Sequence, residues 1–166
     1  MRRWPALVLA FLLPLHASCI FAKQMWSGTV TYVSDGDTIW VRPEAGGEAR
    51  KIRMLGIDAP EVCQIGGEMS EEMLKARVSG RAVMVTTYGN DDYGRALGRV
   101  YLHGDDVGAA MVSSGYAWSY RYRRNLGPYA KEQKHAQSQG LGIFSNGTAQ
   151  EPREFRKSHG SCHVKK

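Results

Sequence analysis

The sequence has no apolar stretch comfortable as a membrane span, which takes roughly 20 residues of helix. Its N-terminal run from Ala6 to Leu15 is too short for that. Cysteine is scarce: Cys19, Cys63 and Cys162 are too few for a disulfide-built fold. Histidine is present without ligand spacing, since His103, His135, His159 and His163 are scattered, and Cys162-His163 has too few partners to hold zinc. Internal repeats and low-complexity tracts are absent, which excludes solenoids and arrays.

What the N-terminus does have is Met1-Arg2-Arg3, the short apolar run, and small residues before Lys23-Gln24. That pattern predicts a signal peptide over residues 1–22 cleaved after Ala22, and hence a secreted or periplasmic protein. The alternative is a lipid anchor on Cys19, although His16 stands where such signals want a bulky aliphatic residue. Without the leader 144 residues remain, enough for one domain with one core. Two cysteines also remain, and export favours a Cys63–Cys162 disulfide over two free thiols.

Alternation and turn residues predict strands over Trp26–Val33, Thr38–Arg42 and Lys51–Ile57, with Arg53 on the face of Leu55 and Ile57. A helix follows over Glu68–Val78, with Met69, Met73 and Ala76 at helical spacing. Strands over Ala82–Thr87 and Ala96–Leu102 come next. A short helix capped by Asp105 or Asp106 and a last one from Pro128 to about Gln139 complete the order. The prediction is an α+β fold, a five-stranded OB-type β-barrel with about three helices, over residues 23–146. Residues 147–166 read as a tail, mobile or tied down by the disulfide.

Net charge is +6, and losing Arg2 and Arg3 with the leader leaves four excess positive charges. The excess is uneven: residues 23–120 hold ten Lys and Arg against thirteen Asp and Glu, and residues 121–166 hold ten against three. An acidic front with a basic back suits a cation site beside a polyanion-attracting surface, and equally a solvated tail.

Asp35 and Asp37 flank a hairpin turn, and Asp58 and Glu61 follow the third strand. Antiparallel pairing of strands two and three brings Asp37 near Asp58. Oxygen ligands from adjacent turns suit Ca²⁺ better than zinc. Taken alone, Asp35-Gly36 is a turn and Asp58-Ala59-Pro60 a strand exit. Arg53, on a covered face, needs an anionic partner. Arg53 and Arg95 converging on carboxylates make a phosphodiester site, because guanidinium forks match phosphate oxygens; taken singly, each arginine is equally a salt-bridge partner. Tyr120 and Tyr122, interleaved with Arg121, Arg123 and Arg124, suit either a nucleic-acid strand or an aromatic wall of the core.

Three segments now carry a resemblance. Asp35-Gly36-Asp37-Thr38, then Ile52-Arg53-Met54-Leu55-Gly56-Ile57-Asp58-Ala59-Pro60-Glu61, then Tyr93-Gly94-Arg95 resemble, in order and spacing, the motifs of the secreted staphylococcal nuclease (thermonuclease) family. The likeness runs from about Val30 to Ser145. It implies a calcium-dependent endonuclease on DNA, RNA or both, a monomer that leaves 3′-phosphate ends. It further implies Asp37, Asp58 and the Ala59 carbonyl as calcium ligands, with Asp35 behind them. Glu61 would activate the attacking water, Arg53 and Arg95 would bind the phosphate, and Tyr120 and Tyr122 would line a base pocket; Tyr93, beside Arg95, and Arg121, between the two tyrosines, are further candidates for substrate contact. The chief alternative is a non-catalytic OB-fold nucleic-acid-binding module. A barrel binding an oligosaccharide or peptide beside a calcium staple is a second, and it leaves the two arginines unexplained.

Overall fold

The computed structural model describes residues 23–162; the leader and Cys19 lie outside the described residues. β1 (Gln24–Asp35) turns through Gly36-Asp37 into β2 (Thr38–Pro43), which pairs with β3 (Arg50–Met54). A two-residue β4 (Ile57–Asp58) leads to α1 (Gly67–Val78), and β5 (Ala82–Asn90) and β6 (Ala96–Leu102) follow. β7 (Asp105–Asp106) leads into α2 (Val107–Ser113). After it come β8 (Trp118–Ser119), α3 (Ala130–Ser138), a 3-10 turn (Gly142–Phe144) and α4 (Pro152–His159).

The sheet runs β3-β2-β1-β5-β6-β7, and parallel pairing of β3 with β6 closes the five long strands into a barrel. Closure leaves the barrel no open edge. Inside it Val30, Ile39, Val41, Ile52, Val85 and Val100 are almost wholly buried, joined by Leu74 and Val78 of α1 and Met111 of α2. Each such side chain contributes about 1.5–3 kcal/mol of transfer free energy.

The predicted α+β barrel is the observed one, with three differences of detail. β3 ends at Met54, because Gly56 turns the chain at φ +85°, where an added Cβ would lie 2.6 Å from Pro128 and 2.9 Å from Tyr129. Alternation therefore breaks, and Arg53 lies on the strand face opposite Ile52 and Met54 rather than in one row with Leu55 and Ile57. The buried face of α1 is Gly67, Ser70, Leu74 and Val78; Met69 and Ala76 are exposed. Ser70 is admitted to that face because its hydroxyl donates to the Tyr116 carbonyl, at 2.5 Å. Finally, the tail contains a fourth helix, α4, held on the barrel by buried Pro152 and Phe155 and by a Cys63–Cys162 disulfide with Cα atoms 5.9 Å apart. Pro152 starts it, fixing φ where no N–H partner is needed.

The β1–β2 turn sits directly on α1. A Cβ on Gly36 would lie 2.0 Å from Ser70 Oγ and 2.7 Å from Ala59 Cβ. Glycine is required here for close approach. Gly36→Ala is expected to destabilise the fold by about 1–3 kcal/mol, the usual cost of overpacking, read as a lowered urea midpoint with unchanged slope. A midpoint equal to wild type would mean that the turn can lift off α1 without cost.

Candidate functional site

Hairpin register builds the first part of the site. Thr38 pairs with Arg53, and the Met54 amide donates to the Asp37 carbonyl at 2.8 Å, so the start of β2 meets the end of β3. The Asp37 carboxylate then accepts from Thr38 Oγ1 (3.0 Å) and from the Ala59 amide (2.8 Å). Asp35 turns back on its own hairpin and accepts from the Asp37 amide at 3.0 Å. Burial raises the Asp35 carboxyl above its ordinary value, against the pull of Arg53, a hydrogen bond with Thr38, and Arg95.

Arg53 spans the pair of aspartates. One guanidinium nitrogen meets Asp37, and Nη2 donates to Asp58 Oδ1 at 3.0 Å. Its side chain is only 15 % exposed and those of the two aspartates 7 % each. Burial pulls the guanidinium below its usual value, while Asp58 and Asp35 work to keep it charged. The covered arginine thus has the anionic partners that its position demands.

Asp58 is fixed by β4, which pairs with β8: Asp58 opposite Trp118, Ile57 opposite Ser119. The same pairing brings the loop after β8 alongside Asp58. Glu61 lies in a turn closed by the Gln64 amide donating to the Glu61 carbonyl at 2.8 Å. Gln64, itself buried, accepts from the Glu61 amide and donates to the Gln150 carbonyl at 2.7 Å. Asp37, Arg53, Asp58, Ala59 and Glu61 are therefore brought together as the sequence pattern requires. Ala59 meets Asp37 through its N–H.

Arg95 stands at the rim. Its Nε donates to Asp91 Oδ2 at 2.6 Å, its guanidinium lies 5.5 Å from the Tyr93 ring centre, and Tyr93 is 81 % exposed. It acts on Asp35 and Arg53 through charge alone. Asp91 also accepts from the amides of Tyr93 and Arg95. Burial opposes ionisation of Asp91, but the hydrogen bonds and charge of Arg95 prevail and hold its carboxyl below the ordinary range. A depressed carboxyl stabilises the fold above its unfolded value near 4, and that contribution is lost as pH falls through the lower folded value. Asp91→Ala should therefore cost about 1–2 kcal/mol at pH 7, with the deficit narrowing at pH 3 and below. Paired denaturation curves at the two pH values measure it; a deficit independent of pH would deny the carboxylate its part.

Beside Asp58 opens a cleft of about 450 Å³ between the loop Tyr120–Leu126 and the start of α4. Tyr120, Arg121, Arg123 and Arg124 line it, with Arg121 paired to Glu151 across the mouth. Tyr122 is 63 % exposed with the Arg123 guanidinium 5.3 Å from its ring centre. Neither tyrosine is a core residue; both are available to stack.

One site residue escaped the sequence reading. Arg156 of α4 donates through Nη1 to Glu61 Oε1 (2.9 Å) and Asp58 Oδ1 (3.2 Å), and through Nη2 to Asp58 Oδ2 (2.8 Å). Burial works against its charge, yet the hydrogen bonds and attraction of Asp58 and then Glu61 outweigh it and raise the guanidinium above its usual value. The signals for it were Pro152 as a helix start and Cys162 as a tether.

A hard cation fits the donor chemistry. The buried carboxylate oxygens of Asp37 and Asp58 already require positive charge, supplied by Arg53. Among the described residues no three His, Cys, Asp or Glu side chains form a ready cage. Asp37 and Asp58 would hold the ion, with backbone carbonyls, water or substrate completing its shell.

Comparison with known proteins bears directly on this arrangement. Residues 51–146 match the family described as staphylococcal nuclease homologue. An uncharacterized endonuclease of Haemophilus influenzae is 33% identical over 128 residues, 77% of this chain and 71% of that protein. An uncharacterized endonuclease of Escherichia coli is 40% identical over 120 residues, covering 72% and 77%. A micrococcal nuclease of Shigella flexneri is 34% identical over 142 residues, covering 79% and 80%.

Proposed function

Because the chain belongs to the family of staphylococcal nuclease homologues, we propose that it is a calcium-dependent nuclease that hydrolyses phosphodiester bonds of DNA, RNA or both. The observation that carries the reading is the convergence of Asp37, Arg53, Asp58 and Glu61 beside a cleft lined by Tyr120 and four arginines. A bound calcium ion would supply positive charge on a phosphoryl oxygen and lower the barrier to attack there.

The chain's own residues do the rest. The Arg53 fork takes the non-bridging oxygens and meets the charge that grows on them in the transition state. Glu61 accepts a proton from water as the water oxygen bonds to phosphorus. The bond to the 5′ oxygen breaks, that oxygen takes up a proton, and a 3′-phosphate remains. Arg95 turns from Asp91 to the same phosphate, a swing open to a side chain that is 26% exposed. Tyr120 and Tyr122 stack on bases, each contributing about 1–3 kcal/mol, with Tyr93 at the rim.

A silent binding module is disfavoured because Asp37, Arg53, Asp58 and Glu61 are all present and assembled around one point, with Arg95 at the rim. Export belongs to the proposal too, and the Cys63–Cys162 disulfide suits an oxidising compartment. Among the described residues no helix is long and apolar enough to cross a membrane. The test is incubation with single-stranded DNA and with RNA, in calcium or chelator, over a range of salt. Cleavage is expected only with calcium, at a rate that falls steeply as salt rises. Cleavage in chelator, or none of either polymer in calcium, would overturn the reading.

A further inference from the structure

The three hydrogen bonds of Arg156 fall on the atoms that a cation and an attacking water need. Asp58 Oδ1 already takes donors from Arg53 and Arg156, and Oδ2 takes the second Arg156 nitrogen. A carboxylate offers about four lone-pair sites, so three are in use, and the fourth lies beside a guanidinium. Glu61 Oε1 is likewise engaged. A divalent ion on Asp58 would meet Arg53 and Arg156 at contact range in a largely dry site, where like charges repel strongly.

The two arginines differ in what holds them. Arg53 is on a barrel strand between paired neighbours. Arg156 is on an eight-residue helix outside the span matched by the family. That helix is tied to the Glu61 turn at both ends, by Gln64 to Gln150 before it and by Cys63–Cys162 after it. Such tethers keep the local concentration of Arg156 high at the carboxylates.

We propose that Arg156 is a positioning residue that competes with the cation: with no ion bound it holds Asp58 and Glu61, and it leaves Asp58 when the ion enters. The inference rests on the reading of Asp37 and Asp58 as cation ligands. Linkage makes it reciprocal, so Arg156 weakens cation binding and the cation loosens α4. Because the disulfide limits how far α4 can move, the released guanidinium stays near the site.

Calorimetric titration of the oxidised protein with calcium tests the competition. Arg156→Gln should bind calcium about ten- to a hundredfold more tightly than wild type, within the usual range of coupling between sites. Arg156→Lys should fall between them, and reducing the disulfide in wild type should shift affinity in the same direction by less. Hydrogen exchange on wild type gives an arm that needs no variant: amides of residues 155–159 should exchange faster when calcium is saturating.

Equal or weaker affinity in Arg156→Gln overturns the inference, as does α4 exchange unmoved by calcium. Calcium binding by wild type that Asp37→Asn abolishes establishes the underlying reading separately. If neither wild type nor Arg156→Gln binds calcium, both ideas fall. If only the variant binds, the competition is simply stronger than the range tested.

Discussion

Glu61→Gln is expected to lower turnover on single-stranded DNA at saturating calcium by about 10²–10⁴-fold, the usual worth of a positioned general base, with little change in KM. The amide has nearly the carboxylate's shape, and its carbonyl oxygen can still accept from Arg156. What it loses is the capacity to take a proton from water. Structural damage cannot mimic this. Exchanging a charged hydrogen bond for a neutral one costs about 1 kcal/mol, and the turn keeps its backbone bonds through Gln64. A melting curve close to wild type together with lost turnover assigns the effect to chemistry. Retention of more than about a tenth of wild-type turnover, a loss under 1.4 kcal/mol, would move the proton acceptor elsewhere.

How much of this was legible in the sequence depended on how local the cause is. The nearness of Asp37 and Asp58 follows from hairpin geometry, since the start of β2 must face the end of β3. The demand of Arg53 for anionic partners follows from burial, even though the strand ended earlier than alternation suggested and its supposed row with Leu55 and Ile57 does not exist. Arg95 shows the limit: the sequence has it converge with Arg53 on the carboxylates of the site, whereas Asp91, four residues away, holds its guanidinium at the rim.

Arg156 was beyond reach for a different reason. It meets Asp58 and Glu61 across 98 and 95 residues, and its helix buries only Pro152 and Phe155, too few positions to show a period. A segment that docks through a disulfide, two buried side chains and salt bridges looks like a tail from the sequence. The α1 face was missed on related grounds, because its contact residue, Ser70, is polar and buried only by virtue of a hydrogen bond to Tyr116.

Arg53→Met is expected to be the most destabilising single change in the site. Replacing a whole buried ion pair by apolar residues can be neutral, but removing one partner leaves the others charged in a dry place, at a cost of about 3–5 kcal/mol. Here two carboxylates, each 7 % exposed, lean on one guanidinium. Asp58 keeps Arg156, so the orphan is chiefly Asp37 and the cost should fall near the lower bound. Arg53→Lys keeps a charge but cannot serve Asp37 and Asp58 with a planar fork. It should lose less stability than the methionine variant, and still lose about 10²–10³-fold in turnover through the missing phosphate contact. Calcium separates the two roles. An ion on Asp37 supplies the charge that methionine lacks, and at a hundred times its dissociation constant it returns about 2.7 kcal/mol, with no recovery of turnover. Urea melts of both variants in calcium and in chelator decide the matter: Arg53→Met as stable as wild type in chelator would show that the aspartates do not depend on Arg53, and a catalytically competent Arg53→Lys would remove Arg53 from the phosphate.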